Sequence, residues 1–597
     1  MKSPRSHLEA ALETHDRSGC GDAAATDDDS KAPEELPSIQ KSPWHSPRRS
    51  QLESRIALGA VLVALLASRW MTHADYLLHL DAGCFARALT QFDLSALSPH
   101  PPGYVLFVLL GRLARLIAND ANHAYLIVNV ATQVGTVLIL FRLLRASLDT
   151  LSTTLAVAIV IFHPLFWYYG TTTSIYATEV FLAVAIIGAL DDDHRHPSSR
   201  CLGFLGFLWT FVGGIRPTTV LFLGPVFLDH LWHRRRDGRG VLLALMMSIV
   251  GATMWVVPLM IMSGGSSAYV DATGEYFDHF LTASSIFFAD DASVALKYGM
   301  VTGLAFALLL MPLAPMVIAG YRRRRVLVID SGVASSRFLL LWSLPALGFF
   351  LLLHMGQHGY ALWFLAPLVI YLVTRSALAS TRAQSPWACR WPLLATLVLE
   401  FGWYLGAPAL VKNYPKMADA SFLNDRANWK YLLGKAYRIQ SDFSLNGVRL
   451  WENITRGYLE ALLQYAPDSV LFIEHSYRET NAWLLVEHAP EYTFLARRMK
   501  TAEWAILGGQ LEGLVVEAED GETRLYVPSP VRAVLLMDEG FGAVWPRRVE
   551  SPRLTQCGKS LYLFSRGDTV ELPDLHLILG DIHFTAPSML NAGPQDQ

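Results

Sequence analysis

Residues 80–113 read LDAGCFARALTQFDLSALSPHPPGYVLFVLLGRL, a polar loop set between stretches that are apolar enough to lie in lipid. Apolar residues at helical spacing after Asp81 predict a short helix that begins at this aspartate. A carboxylate at a helix N-terminus is stabilised by unpaired N–H groups and by the helix dipole, so we expect Asp81 to be ionised. The HPPG sequence at 100–103 then predicts an extended turn and the start of a second helix.

The composition is that of a polytopic membrane protein. Hydrophobic residues make up 52% of the 597 residues and charged residues only 17%, whereas a typical soluble protein has about 25% charged residues. The net charge of −3 gives no support for a nucleic-acid partner, and none is expected. The scattered cysteines and histidines predict no metal site. We identify no cofactor, and a requirement for a divalent metal stays open.

Eleven stretches are candidate transmembrane spans, since a helix needs about 20 apolar residues to cross a bilayer core. The predicted fold class is therefore mostly α, a polytopic transmembrane helical bundle. The candidate spans lie at about 55–71, 122–141, 151–167, 175–190, 201–213, 217–232, 240–262, 298–320, 337–354, 359–376 and 391–409.

The positions of Lys and Arg set the predicted orientation, because these residues collect in cytoplasmic loops. Residues 1–53 are predicted to be a disordered cytoplasmic tail, followed by a membrane domain over 54–409. The basic clusters all fall on the cytoplasmic side only if residues 105–117 do not cross the membrane. Residues 72–121 then form an outer loop with two interfacial helices. The alternative is that 105–117 is a real span with two snorkelling arginines.

Residues 410–597 are predicted to form an extracytoplasmic domain of the α/β or α+β type. Helical patterns over 421–465 precede short apolar runs that are typical of strands. These runs lie at 469–474, 504–509, 532–538, 560–566 and 574–581.

Asp81, with Asp93 and His100 in the same loop, is the first candidate site. A carboxylate at the outer membrane face can take a proton from an acceptor hydroxyl. The alternative is that Asp81 is an N-terminal helix residue in an ordinary loop.

Arg216 and Glu179 are further candidates, because charged residues at membrane depth usually have a function. Arg216 lies in GGIRPTT at 213–219, where a guanidinium and free helix-end N–H groups can bind a phosphate. Glu179 and Tyr176 follow a turn rich in aromatic and hydroxyl residues. The alternatives are a snorkelling Arg216 and a structural hydrogen bond from Glu179 to a neighbouring helix.

A last group of polar residues lies in HMGQHGYALWF at 354–364, where Gln357, His358 and Tyr360 are placed at the same outer level. Glycines on both sides indicate a tight turn rather than a helix that could present a histidine pair to a metal.

These motifs resemble those of the GT-C superfamily of polytopic glycosyltransferases, in particular a bacterial branch related to protein O-mannosyltransferases and aminoarabinose transferases. The long loop around HPPGY, the PLFWYYG sequence, GGIRP, and GQHGY carry the resemblance, which covers roughly 55–500. Relatives often have a glutamate directly after the WFYG sequence, where this chain has Thr171, Thr172 and Thr173.

The resemblance implies a bundle with its chemistry on the outer leaflet of a bacterial inner membrane. It implies that Asp81 is catalytic and that the donor is a polyprenyl-phosphate-linked sugar. The site would then contain Arg216 at the donor phosphate, with acceptor or donor contacts from Asp93, His100, Tyr176, Glu179, Gln357, His358 and Tyr360. The acceptor would be a glycan, a lipid or a protein.

Two other functions stay open at this stage. A transporter or flippase of a lipid-linked sugar would also need many spans and buried polar residues, although we find no internal repeat of the kind that transporters often have. A non-catalytic scaffold with the same fold is the other alternative.

Overall fold

The structure, a computed structural model, describes residues 47–288 and 442–474, together with most of 299–322, 335–407 and 481–583. The chain divides after Gln51 into an N-terminal unit and a second unit, Leu52–Gln597. Most of the predicted tail, the predicted helical region over 421–441 and Gln357 lie outside the described residues.

Helices dominate the first 407 residues, which confirms the mostly helical prediction. They are α1 (Pro47–Thr72), α2 (Leu80–Ala88), α3 (Val105–Ala114), α4 (Ala121–Arg145), α5 (Thr150–Phe162), α6 (Pro164–Thr171), α7 (Tyr176–Arg195), α8 (Ser199–Phe211), α9 (Pro217–His233), α10 (Gly238–Met262), α11 (Ser266–Ser284), α12 (Ala314–Arg322), α13 (Ser336–Gly348), α14 (Leu365–Arg382) and α15 (Trp387–Gly406), with 3₁₀ helices at Val212–Gly214, Met311–Leu313 and His358–Phe364.

Five helices within the described ranges are long and apolar enough to cross a membrane. They are Gln51–Thr72, Ala121–Arg145, Gly238–Met262, Ser336–Leu353 and His358–Ala377. A sixth span is formed if α5 and α6, which are bent by 58° at their junction, are taken as one. The count of eleven therefore stays a prediction. The candidate spans at 201–213 and 217–232 are helices of 13 and 17 residues.

The short helix α3 agrees with the expectation that residues 105–117 do not cross the membrane. It has ten residues, which at about 1.5 Å per residue is half the thickness of a bilayer core. Leu113, Leu116 and Ile117 are exposed at its end.

The bend between α5 and α6 interrupts the predicted span at 151–167, and side chains of α1 and α4 donate to backbone carbonyls near the bend and at the far end of α6. Pro164 has no N–H group and begins α6, so backbone groups near the bend need other partners. Arg69 on α1 donates to the carbonyl of Ile161 at 2.5 Å. On α4, Asn129 donates to the carbonyl of Thr172 at 2.8 Å, and Gln133 to that of Gly170 at 3.2 Å.

Helices α8 and α10 pack closely because small residues face each other. The hydroxyl of Ser248 donates to the carbonyl of Gly206 at 3.0 Å. A Cβ atom at Gly206 would lie 2.2 Å from the backbone oxygen of Ala244, and one at Gly251 would lie 2.5 Å from that of Phe207. Small residues that let two helix backbones approach are a common means of helix association in membranes.

The described residues from 442 onward form two sheets and three helices. The strands are β1 (Val470–Glu474), β2 (Thr493–Arg497), β3 (Trp504–Gly508), β4 (Val515–Glu519), β5 (Glu522–Val527), β6 (Ala533–Met537), β7 (Leu561–Ser565), β8 (His576–Leu579) and β9 (Ile582–His583), and the helices are α16 (Leu445–Leu462), α17 (Asn481–Leu485) and α18 (Pro552–Gln556).

One sheet has the order β3-β2-β1-β6-β7, with β1 parallel to both β2 and β6 and antiparallel strands at both edges. The other sheet has the order β4-β5-β8-β9. All residues of β1 and β6 are buried, as expected for central strands covered on both faces. Each predicted apolar run coincides with a strand, whereas no run predicted β2, β4, β5 or β9.

We expect Gly206→Ala to destabilise the protein by about 1–3 kcal/mol, because the new methyl group meets backbone that cannot rotate away. Gly224→Ala is the matched control, since its nearest neighbour would be a side-chain atom of Trp209 at 3.7 Å. Thermal unfolding in detergent measures both variants. Equal transition temperatures for the two variants would contradict the close packing of α8 on α10.

Candidate functional site

Asp81 lies in the first turn of α2, as its sequence context predicts. Its carboxylate is partly exposed and forms no hydrogen bond or ion pair with any residue that the structure describes. Two residues before Asp81, the side chain of His79 does have a partner: its Nε2 atom lies 2.5 Å from the hydroxyl of Tyr168. Asp81 is therefore a charged group on a well-held helix with its oxygens still available.

Protein surrounds α2, which differs from the predicted interfacial helix. Six of its nine residues are buried. The hydroxyl of Tyr125 on α4 donates to the carbonyl of Phe85 at 3.1 Å. On the other side, a Cβ atom at Gly83 would lie 3.3 Å from the carbonyl oxygen of Trp483 on α17. The sequence pattern could not show this, because the covering helix is about 400 residues away in the chain.

Arg216 and Glu179 form a buried ion pair. Arg216 lies between the 3₁₀ helix Val212–Gly214 and Pro217, the first residue of α9, and Glu179 lies in the first turn of α7. Their Nη1 and Oε2 atoms are 3.2 Å apart, with side chains only 6% and 4% exposed. Arg216 Nη1 and Glu179 Oε1 have no hydrogen-bond partner in the described part of the chain. The guanidinium therefore keeps hydrogen-bonding capacity for a ligand.

Aromatic rings enclose the guanidinium. Its Cζ atom lies 4.9 Å from the ring centre of Tyr176 and 5.3 Å from that of Tyr360, within the range of cation–π attraction. Tyr360 in turn stacks on Phe350 at 4.0 Å. A Cβ atom at Gly359 would lie 2.4 Å from the Tyr176 ring, so only glycine permits this approach.

Asp81 and Arg216 belong to one cluster. Both residues lie in the surroundings of the same five side chains, His100, Tyr104, Tyr169, Tyr176 and Tyr360. The structure thus brings together six residues that were singled out from the sequence: Asp81, His100, Tyr176, Glu179, Arg216 and Tyr360.

His100 is buried in the turn between α2 and α3. Its ring lies 5.4 Å from Phe85, 4.8 Å from Tyr104 and 6.0 Å from Tyr276. Its Nδ1 atom has no hydrogen-bond partner among the described residues. Burial lowers the pKa of His100 below its usual value of 6.5; Asp81 opposes this effect and Arg216 adds to it. We therefore describe His100 as a neutral imidazole.

Asp93 and His358, two further residues of the predicted set, have other contacts in the structure. The carboxylate of Asp93 accepts hydrogen bonds from the Ser95 backbone and hydroxyl at 2.9 and 2.7 Å, so it holds a local turn. His358 begins the 3₁₀ helix that carries Tyr360, and its ring lies 5.5 Å from that of Phe443. Gln357 lies outside the described residues.

Sequence reasoning missed Tyr104, Tyr169 and Tyr276 as members of the cluster. Tyr104 and Tyr169 belong to the HPPGY and FWYYG sequences, which were noted only as motifs. Tyr276 on α11 had no such signal, and its place is visible only through its contact with His100.

The cluster combines three chemical properties. Asp81 offers a carboxylate that can accept a proton, and Arg216 offers a buried cation with an unsatisfied N–H group. The tyrosine rings offer flat apolar surfaces on which a ring-shaped ligand can lie. Within the described ranges, no three metal-ligating side chains converge.

The fold and the site together define an integral membrane protein of the polytopic type, with a polar site enclosed by its helices. Residues 81–238 match the family model described as Protein O-mannosyl-transferase TMEM260 N-terminal domain. That segment begins at Asp81 and contains Glu179 and Arg216. No curated protein sequence matches the chain.

In fold, the chain is similar to ArnT from Cupriavidus metallidurans bound to undecaprenyl phosphate. The TM-score is 0.52 at 10% identity, over 86% of this chain and 98% of ArnT. The apo state of the same ArnT gives a TM-score of 0.48 at 11% identity, over 75% and 86% of the two chains. The family match over residues 81–238 and the likeness in fold at a TM-score of 0.52 agree with the resemblance found in the sequence.

We expect the stability of the protein to fall at low pH because of His100. Its folded-state pKa is lowered below 6.5, so the unfolded state binds more protons and the folded state loses stability as pH falls through this value. Thermal unfolding in detergent between about pH 8 and pH 5 should show this loss in the wild type and a smaller one in His100→Gln. Other buried histidines titrate in both proteins, so an identical pH dependence would contradict the assignment.

Proposed function

We propose that this protein is a membrane glycosyltransferase that moves a sugar from a polyprenyl-phosphate donor to an acceptor on the extracytoplasmic face. The observation that carries the proposal is the single cluster containing Asp81, a carboxylate with no partner among the described residues, and Arg216, a buried guanidinium. The match of residues 81–238 to an O-mannosyltransferase family model supports it. So does the likeness in fold to ArnT, which was seen bound to undecaprenyl phosphate.

Asp81 is the proposed general base. Its carboxylate takes the proton of an acceptor hydroxyl or amine, and the acceptor atom attacks the anomeric carbon of the sugar as the bond to the phosphate oxygen breaks. The electron pair of that bond leaves with the polyprenyl phosphate, and the configuration inverts because the acceptor attacks from the face opposite the leaving group. A phosphate is a good leaving group, and a second carboxylic acid is not needed to protonate it, unlike in glycosidases.

Arg216 is the proposed partner of the donor phosphate. In a site with little water, a cation stabilises charge that develops on the leaving group more strongly than in bulk solvent. Glu179 already balances part of its charge at 3.2 Å. This pairing fixes the direction of the guanidinium and lets a monoanionic ligand bind without a large excess of positive charge in the bundle. Tyr176 and Tyr360 are the proposed walls for the sugar.

The same proposal includes the location of the protein. The reaction takes place on the extracytoplasmic side of a bacterial inner membrane, and residues 410–597 form a domain outside the membrane. The orientation rests on the distribution of Lys and Arg.

Replacing Asp81 tests the base directly. We expect Asp81→Asn to lower kcat by about 10²–10⁴-fold, with donor binding retained, because the asparagine keeps the shape but cannot accept the proton. Transfer from a purified lipid-linked sugar measures kcat. Asp93→Asn is the matched control, since an asparagine oxygen can still accept the Ser95 hydrogen bonds that hold its turn. Wild-type turnover in Asp81→Asn would overturn the assignment.

Replacing Gly359 tests the aromatic enclosure of Arg216. The new methyl group in Gly359→Ala must displace the Tyr176 ring. We expect the KM for the donor to rise about tenfold, as is typical for losing a desolvated cation–π contact. In Gly348→Ala, the control, the methyl group meets nothing within 4 Å. Unchanged donor KM in Gly359→Ala would remove Tyr176 from the donor site.

A further inference from the structure

The segment that leads into Asp81 is held by the part of the chain that follows the bundle. The carboxylate of Glu452, on α16, accepts a hydrogen bond from the backbone N–H of Asp75 at 2.6 Å. Nε2 of His488, which follows α17, accepts one from the N–H of Leu77 at 3.4 Å. The ring of Tyr76 lies 5.0 Å from that of His488. Three successive residues, 75–77, therefore contact this later region.

The bundle holds the same segment from the other side. The backbone N–H of Ala74 donates to the carbonyl of Thr171 at 2.8 Å. The carbonyl of Ala74 accepts a hydrogen bond from the side chain of Asn122 at 2.7 Å. Residues 74 and 75 are thus fixed between α4 and α6 on one side and α16 on the other.

Helix α17 covers the face of α2 that points away from the bundle. The guanidinium of Arg87 lies 4.1 Å from the ring centre of Trp483. Leu484 packs with Leu77, Ala82 and Ala86 in one buried cluster. The helix that carries Asp81 is therefore enclosed on both sides, and its position depends on residues from both ends of the chain.

Glu452 is the residue whose chemistry needs an explanation. It is only 3% exposed, although burying a carboxylate is costly unless it is paired and hydrogen-bonded. Both oxygens have partners: Oε1 accepts from Asp75, and Oε2 pairs with Arg449 at 2.5 Å. The same Arg449 Nη1 atom reaches the carbonyl of His73 at 3.5 Å. Glu452 and its partner Arg449 thus both contact the backbone of residues 73–75.

We propose that Glu452 is a positioning residue for Asp81, and that α16 and α17 serve to hold the aspartate in place for the reaction. The inference rests on the proposed function, in which Asp81 is the general base. Proton transfer requires the carboxylate to lie within hydrogen-bonding distance of the acceptor. A displacement of about 1 Å in such a group can reduce the rate about 10²-fold. Glu452 itself does not touch the acceptor or donor.

The test compares three variants of the full chain in detergent or nanodiscs. Glu452→Ala removes both interactions, and Glu452→Gln keeps a carbonyl oxygen for the Asp75 N–H while losing the charge. Glu460→Ala is the matched control on the same helix, where an exposed carboxylate pairs with Arg553 at 3.0 Å. Hydrogen–deuterium exchange of residues 73–88 and the kinetics of transfer from a purified lipid-linked sugar are measured for each.

In Glu452→Ala, we expect residues 73–88 to exchange about tenfold faster and kcat to fall about 10–10²-fold with an unchanged donor KM. In Glu452→Gln, the exchange rate of residues 73–88 and kcat should both be close to the wild-type values. Glu460→Ala should resemble the wild type. Unchanged exchange in Glu452→Ala would overturn the inference, as would faster exchange with full kcat.

The failure of the proposed function gives a different result. If even the unaltered chain transfers no sugar, the proposed function fails, and with it the role of Glu452 in catalysis. The exchange measurement still decides whether α16 and α17 hold the segment. Should Glu452→Ala not fold, Glu452→Gln decides alone. An exchange rate and a kcat like those of Glu460→Ala support the role of the Glu452 side chain as a hydrogen-bond acceptor. Exchange as fast, and a kcat as low, as expected for Glu452→Ala overturn it.

Discussion

The site depends on how the chain satisfies its backbone polar groups at the bend between α5 and α6 and at the end of α6. Inside a membrane, an N–H or C=O group without a partner is too costly to persist. Asn129 and Gln133 on α4 accordingly donate to carbonyls at the end of α6. Arg69 donates to the carbonyl of Ile161, at the end of α5. These amides fix the turn between α6 and α7, from which Tyr169, Tyr176 and Glu179 enter the site.

The charges of the site are arranged in two different ways. Arg216 and Glu179 are deeply buried and balance each other, whereas Asp81 is partly exposed and has no partner among the residues described. This contrast follows from desolvation, since a buried ion needs a counter-ion and a half-exposed one can rely on water. Under the proposed function, this arrangement also separates two tasks of glycosyl transfer, which are holding an anionic donor and accepting a proton.

The sequence allowed a good prediction wherever local chemistry decides the outcome. Asp81 at a helix start, Arg216 at a Gly/Pro break and the short helix at 105–117 could be predicted from residue types and spacing. The enclosure of α2 by α17 could not, because it joins segments about 400 residues apart. The local role of Asp93 could not be predicted from the sequence, since only the structure shows that its carboxylate accepts hydrogen bonds within its own turn. The bend at His163–Pro164 was hidden because apolar residues continue through it.

The contact between Asp75 and Glu452 joins residues 377 positions apart, and this has a consequence for biosynthesis. The ribosome delivers the early helices to the translocation machinery long before it reaches residue 452. During that interval, the loop bearing Asp81 has only its bundle contacts. The nascent protein is thus inserted before this contact can form, so that an incompletely synthesised copy in the membrane lacks the hydrogen bond that holds the segment leading into Asp81.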